Sequence, residues 1–163
     1  MYQRNIITTL TELLSEFRIL YLTGPRQAGK TTTRKSLAAQ LNMTYFTLDN
    51  QTTLSAVQAD PHGFIASTGE SKIVLDEFQY APKLIPAIKE ASDLLPPTSK
   101  GKFILSGSAD IFHSAKAQEA LPGHMARLEL YPLSQSEIHS SSTNIINYLT
   151  QEEAFTFIKK ETL

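Results

Sequence analysis

Residues 24–31, GPRQAGKT, match the pattern GxxxxGK[ST], and the segments on either side constrain the fold more than the pattern alone. A short run typical of a β-strand, residues 18–22, comes directly before the pattern. Residues 31–41, which follow it, have the apolar spacing of a helix. In such a strand–loop–helix unit, backbone N–H groups and the positive end of the helix converge on one point that can hold phosphate oxygens. The two correct flanks disfavour the alternative, a glycine-containing turn that matches by chance.

The loop predicts a nucleotide site in which several residues have distinct roles. Gly24 and Gly29 allow positive φ angles and a close approach of the backbone to the phosphates. Lys30 would reach the β- and γ-phosphates, and the Thr31 hydroxyl would bind Mg²⁺. The residues predicted to contact the nucleotide, ATP, are Gly24, Pro25, Arg26, Gln27, Ala28, Gly29, Lys30, Thr31 and Thr32.

The composition excludes several classes of protein. The chain has 163 residues and a net charge of −1, so no overall positive field attracts nucleic acid. It has no cysteine, which excludes disulfides and zinc–thiolate sites. No apolar run is long enough to span a bilayer, and we expect a cytoplasmic location. A local basic cluster of Arg26, Lys30, Arg34 and Lys35 remains, and two of its members belong to the loop that would bind phosphate.

Segments typical of strands and of helices alternate along the chain. This alternation predicts a three-layer α/β P-loop NTPase fold with a mostly parallel central sheet of about five strands. The predicted strands are residues 19–22, 44–48, 72–75, 102–105 and 127–130. The predicted helices are residues 6–17, 31–41, 51–67 with a break at 60–63, 80–95 and 111–121. We expect the P-loop domain over residues 1–133, and a polar linker with a C-terminal helix or tail over residues 134–163.

Two carboxylates follow the predicted third strand, and they supply the chemistry that a phosphate loop lacks. Asp76 would hold Mg²⁺, because the end of this strand lies beside the phosphate loop in a parallel sheet. Glu77, the next residue, would polarise a water molecule for attack on the γ-phosphate. The alternative is a strand that ends in two solvated acids, and the upstream loop disfavours it.

Polar residues at the ends of other strands are further candidates. Ser106 follows the fourth strand directly and would lie between Glu77 and the γ-phosphate, with Ser108 as the second choice and an ordinary turn as the alternative. Asp49, after the second strand, is either another carboxylate near magnesium or a helix cap. Residues 60–63 match the DxxG motif of GTPases, but no apolar strand precedes them and no NKxD motif is present, which disfavours a GTPase.

The ordered set of motifs resembles prokaryotic AAA-type ATPases often called "ATP-binding protein", whose AAA-like domain is usually followed by a C-terminal domain of unknown function. Over residues 6–137 the motifs are GPRQAGKTT, LDN, DPHGFIA, IVLDEFQYAP, ILSGSADIF and LPGHMARLELYPLSQSE. The resemblance implies ATP and Mg²⁺ as cofactors, with Asp76 for magnesium and Glu77 as the catalytic base. It also implies that residues 106–108 form the region called sensor 1.

This chain departs from that family at two positions. His124 stands where these proteins usually have the arginine of a Gly-Arg pair, and Tyr80 stands where they often have an arginine after DE-x-Q. Arg127 is the nearest substitute. Because an arginine commonly completes the charge around the γ-phosphate, we expect Mg-ATP to bind and to be hydrolysed slowly.

Two other functions are weighed against a slow ATPase. One is an ATP-binding switch or scaffold without turnover, which His124 and Tyr80 favour. The other is a small-molecule or nucleotide kinase, which the adjacent Asp76 and Glu77 and the missing arginine-rich lid disfavour. We expect a homo-oligomer or a protein partner, and no membrane or specific nucleic-acid partner. The chain ends before the family's C-terminal domain, as a truncated relative or a fragment would.

Overall fold

The computed structural model describes residues 2, 4–107, 121, 123 and 125–139. It contains five strands: β1 (Ile19–Thr23), β2 (Thr44–Thr47), β3 (Ile73–Asp76), β4 (Phe103–Ser106) and β5 (Met125–Glu129). They form one parallel sheet in the order β2-β3-β4-β1-β5. The predicted α/β fold with a five-stranded sheet is therefore confirmed.

The described helices match most of the predicted segments. They are α1 (Ile6–Glu16), α2 (Lys30–Gln40), α3 (Gln51–Ala59), α4 (Pro61–Ser67), α5 (Leu84–Leu94) and α6 (Gln135–His139), with a 3₁₀ turn at Phe78–Tyr80. The helix predicted for residues 111–121 and the one predicted within residues 134–163 fall largely outside the described residues. None of the helices just named is long and apolar enough to cross a membrane.

The long helix predicted for residues 51–67 is interrupted at a single residue, Asp60. The Asn50 side chain accepts a hydrogen bond from the Thr53 N–H and caps α3, and Asp60 caps α4 in the same way through the Gly63 N–H. Pro61 follows as the first residue of α4, where its missing N–H does no harm. Asn50, and not Asp49, is therefore the cap, so that alternative for Asp49 was wrong.

Alternate residues of the strands pack into two separate cores, which makes the fold three-layered. In β3, Ile73 and Leu75 belong to a core shared with α3, α4 and α5, whereas Val74 belongs to a core shared with α1 and α2. All three side chains are fully buried. Burial on both faces explains the uninterrupted apolar sequences of the central strands.

The parallel sheet brings the carboxyl ends of β1, β3 and β4 to one edge. In the strand register Leu22 of β1 lies opposite Ser106 of β4, and Leu75 of β3 lies opposite Leu105 of β4. Asp76 and Ser106, the last residues of β3 and β4, therefore lie side by side next to the loop that leaves β1. This edge holds the candidate site.

Residues 2, 4–5 and 133–139 belong to a second compact unit, separate from residues 6–132. Its helix α6 lies within the predicted polar linker, and a capping box explains it. The Ser134 N–H donates to the Glu137 carboxylate at 2.8 Å, and the Glu137 N–H donates to the Ser134 hydroxyl at 3.3 Å. Arg4 and the Asn5 N–H also donate to Glu137. Burial acts to raise the pKa of Glu137, but these hydrogen bonds outweigh it and hold the pKa below its ordinary value.

Gly101, two residues before β4, lies close to Leu14 of α1, and a substitution there tests how tightly the two segments pack. Its φ angle is 62°, and a Cβ atom added there would lie 2.8 Å from the backbone oxygen of Leu14. Gly101→Ala should lower the free energy of unfolding by about 2–4 kcal/mol, because left-handed strain and overpacking add. Urea unfolding followed by circular dichroism measures the change.

Gly69→Ala is the matched control for that substitution. Gly69 has a similar φ angle of 51°, but no atom lies within 4 Å of an added Cβ. This variant should lose only the left-handed strain, about 1–2 kcal/mol. Equal losses in the two variants would contradict a tight contact between Gly101 and Leu14.

Candidate nucleotide-binding site

The loop between β1 and α2 has the backbone conformation predicted for it. The φ angles of Gly24 and Gly29 are positive, at 145° and 86°, and that of Gln27 is also positive, at 66°. A Cβ atom added to Gly24 would collide with the backbone carbonyl of Leu130, just beyond β5. The loop can therefore pass this close to the neighbouring strand only with glycine at position 24.

Lys30 lies along the loop and is almost fully buried. Its ammonium group donates to the backbone carbonyls of Gly24 and Pro25, both at 2.6 Å. Burial and, second, the nearby Arg34 guanidinium lower the pKa of Lys30. A phosphate oxygen entering the loop would offer this ammonium a charged acceptor, which makes a stronger hydrogen bond than a neutral carbonyl.

Asp76 is buried at the end of β3 and surrounded by donors. Both of its carboxylate oxygens lie 2.8 Å from Nη2 of Arg34. The Tyr45 hydroxyl donates to the same carboxylate, and the Glu77 N–H donates to it at 2.6 Å. Burial and the hydrogen bond to Asp76 raise the pKa of Tyr45. Asp76 is thus not a solvated acid at the end of a strand.

Arg34 and Tyr45 are site residues that the sequence motifs do not identify, and in the sequence Arg34 belongs only to a basic cluster. The Arg34 side chain is 1% exposed. Its Nη1 donates to the Ser106 hydroxyl, and its Nη2 donates to the Thr31 hydroxyl at 2.8 Å. Burial lowers the pKa of Arg34, and the Asp76 carboxylate opposes that effect. Position 34 lies three residues before Leu37 and four before Ala38, so helical spacing places it on the buried face of α2. This spacing is the feature of the sequence that indicates a buried arginine.

Ser106 is the last residue of β4, as predicted, and it is buried beside Asp76. The structure brings Thr31, Asp76 and Ser106 together around one guanidinium group. The sensor role of Ser106 stays a prediction, and its alternative, Ser108, lies outside the described residues.

Thr31 and Asp76 have the donor chemistry that Mg²⁺ prefers, namely hydroxyl and carboxylate oxygens. Their oxygens converge on a single atom, Nη2 of Arg34, so the two residues can face one cation. Among the described residues, no group of three His, Cys, Asp or Glu side chains could hold a metal ion. A magnesium ion here would therefore take its remaining ligands from water and from phosphate oxygens.

Glu77 has a strained backbone, with φ 55° and ψ 42°. The left-handed conformation costs a residue with a side chain about 1–2 kcal/mol. Gln79 donates to the Glu77 carboxylate at 2.5 Å. The fully buried Phe78 anchors the 3₁₀ turn that follows Glu77. Strain of this kind persists where the surrounding structure enforces it, and it is concentrated at functional sites.

A cavity of about 430 Å³ lies between the loop and Glu77. Its volume falls within the usual range for ligand sites, roughly 300–1,000 Å³. Its described lining residues are Arg26, Gln27, Gly29, Lys30, Thr31, Thr32, Arg34, Asp49, Glu77, Gln79 and Tyr80.

Most of the predicted site residues thus face this cavity, with some exceptions. Among the loop residues, Gly24, Pro25 and Ala28 are not part of its lining, although Gly24 and Pro25 bind Lys30 through their carbonyls. Asp76 and Ser106 are not part of the lining either, and both are buried beside it. Arg127 lies on β5 and does not belong to the lining either. His124 lies outside the described residues.

Two curated relatives match most of this chain. The chain is 30% identical over 143 residues to the uncharacterized protein Rv2008c of Mycobacterium tuberculosis and, equally, to the uncharacterized protein Mb2031c of Mycobacterium bovis. These matches cover 87% of this chain but 31% of each relative, so the chain spans about a third of their length.

One structural comparison is with shikimate kinase from Acinetobacter baumannii in complex with shikimate. The TM-score is 0.39 and the identity 18%, over 92% of this chain and 76% of that one.

The sequence model of the AAA domain matches residues 16–139, which include every strand of the sheet and the whole phosphate loop. The chain therefore belongs to the AAA domain family and is a P-loop domain of the nucleotide-binding type.

Proposed function

We propose that this chain binds ATP together with Mg²⁺ and hydrolyses it slowly. The cavity between the phosphate loop and Glu77 is the single observation that carries this proposal. Lys30 and Thr31 line one side of it and Glu77 lines another, so a triphosphate bound by the loop would direct its γ-phosphate toward a carboxylate. The loop amides and Lys30 would stabilise the charge on the phosphates.

The proposed mechanism assigns one role to each group at or beside the cavity. Lys30 would exchange its two loop carbonyls for phosphate oxygens. Thr31 and Asp76, once released by Arg34, would hold Mg²⁺, which neutralises phosphate charge. Glu77 would accept a proton from the attacking water. Its hydrogen bond from Gln79 and its enforced backbone conformation support this role, because both hold the carboxylate at the cavity wall.

Slow turnover is expected from the cationic side chains near the cavity. Arg26 and Lys30 belong to the phosphate loop and are assigned to nucleotide contact. Tyr80, which lines the cavity and is about half exposed, cannot supply the positive charge of an arginine. Arg34 is engaged by Asp76, Thr31 and Ser106. We therefore expect the isolated chain to turn over well below ~1 s⁻¹, since a well-placed arginine contributes roughly 10³–10⁵-fold in rate in related phosphoryl-transfer enzymes.

The second candidate function is an ATP-binding switch or scaffold that does not turn over. The observation that favours it is the engagement of Asp76, the proposed magnesium ligand, by a guanidinium group. Calorimetry of ATP binding and a phosphate-release assay on the same sample separate the two functions. Binding with release supports the ATPase, binding without release supports the switch, and no binding contradicts both. A cytoplasmic location, and a homo-oligomer or a protein partner, stay predictions.

Lys30→Ala should weaken ATP binding roughly tenfold or more, because it removes a charge-assisted contact to the phosphates. Calorimetry measures the affinity. Lys35→Ala is the matched control: it removes the same charge on the same helix, from an exposed residue that does not line the cavity. An unchanged ATP affinity in Lys30→Ala would contradict the phosphate-loop interpretation.

Glu77→Gln should keep ATP affinity near that of the wild type and slow phosphate release by about 10²–10⁴-fold. The amide keeps the shape of the side chain but cannot accept the proton. Glu16→Gln, at the exposed end of α1, is the control for loss of one carboxylate. If the wild type is active and Glu77→Gln releases phosphate equally fast, the general base lies elsewhere.

A further inference from the structure

Arg34 contacts the same side-chain oxygens that are proposed to bind magnesium. Its Nη2 atom is 2.8 Å from the Thr31 hydroxyl oxygen and 2.8 Å from each carboxylate oxygen of Asp76. Thr31 and Asp76 are the two side chains assigned to the metal on sequence grounds. Their oxygens therefore already face a positive charge that belongs to the chain itself.

The packing of α2 keeps this charge in place. Arg34 is on the first turns of the helix, on the face that carries the buried Leu37 and Ala38, and its side chain is 1% exposed. Its second terminal nitrogen donates to Ser106 at the end of β4. A buried guanidinium with a carboxylate and two hydroxyl acceptors is held in place, because separating a buried ion pair leaves the carboxylate of Asp76 uncompensated.

A divalent ion and this guanidinium would compete for the same oxygens. Mg²⁺ needs lone pairs from Thr31 and Asp76, and those lone pairs accept hydrogen bonds from Arg34. With both cations present, two positive charges would share the single carboxylate of Asp76 at close range, where burial strengthens their repulsion. Arg34 also lines the cavity, and guanidinium groups bind phosphate well.

We propose that Arg34 is a resident cation that takes the place of the divalent ion beside the phosphate loop. This inference rests on the proposed binding of ATP. Arg34 supplies positive charge at the phosphates without a metal, and Mg²⁺ enters the site only by displacing the guanidinium from Asp76. Nucleotide binding by this chain consequently depends little on Mg²⁺. When Arg34 is removed, nucleotide binding depends strongly on Mg²⁺.

The test is ATP affinity, measured by calorimetry in excess Mg²⁺ and in EDTA, for the wild type and for Arg34→Met. Wild-type affinities should agree within about threefold, whereas Arg34→Met should bind at least about tenfold more tightly with Mg²⁺, the size of one charge-assisted contact. Lys35→Met is the matched control, because it removes a positive charge from the next residue of α2, and it should behave as the wild type does.

Each outcome decides the question. If the wild type binds ATP tenfold more tightly in Mg²⁺ than in EDTA, and Arg34→Met shows the same ratio of affinities, the proposal that Arg34 replaces the divalent ion is wrong. The proposal that the chain binds ATP is not affected by this result. No binding by any of these proteins in either condition overturns the proposed function and this inference with it. Arg34→Gln, which keeps a hydrogen-bond donor for Asp76 but no charge, replaces Arg34→Met if circular dichroism shows that the latter is unfolded. The wild-type comparison alone can still contradict the proposal.

Discussion

The buried ion pair between Arg34 and Asp76 links the elements that form the candidate site. It joins α2 to β3, and the hydrogen bond from Arg34 to Ser106 extends the link to β4. Burying two charges costs several kcal/mol per ion, and removing either partner alone typically costs about 3–5 kcal/mol, since the other charge stays buried. The hydroxyls of Thr31, Tyr45 and Ser106 complete the network, so the first turn of α2 is held against the ends of the strands.

The two sides of the cavity are held in place by different means. On the loop side, the glycine at position 24 lets the backbone pass close to Leu130, and Lys30 lies along the loop through two carbonyl contacts. On the opposite side, a strained residue, Glu77, is held by Gln79 and by the 3₁₀ turn that the buried Phe78 anchors. Because catalysis of phosphoryl transfer consists largely of positioning and charge stabilisation, a rigid frame on both sides suits that chemistry.

Charge balance connects the proposed function with the resident cation. Asp76 is paired with Arg34, while Lys30 donates to two neutral carbonyls of the loop. An incoming triphosphate would find Lys30 ready to change partners and Arg34 already at the wall of the cavity. A metal ion would have to disturb the network that links α2 to β3 and β4. Under this proposal, the ion pair that links α2 to β3 would also set how strongly nucleotide binding depends on the metal.

Local sequence patterns determined the helices and strands, and also the part of the candidate site that lies in the phosphate loop. Uninterrupted apolar runs such as residues 73–75 identify strands buried on both faces, and the phosphate-loop pattern places Lys30 and Thr31. The cap at Asn50 and the helix that Ser134 and Glu137 begin were also encoded locally, although they were not predicted.

Only the tertiary structure decided the partners of Arg34. Asp76 lies 42 residues away and Ser106 lies 72 away, and they meet because β4 lies between β1 and β3 in the sheet. The periodicity of a helix shows that position 34 is buried, but the acceptor of its charge depends on the order of the strands.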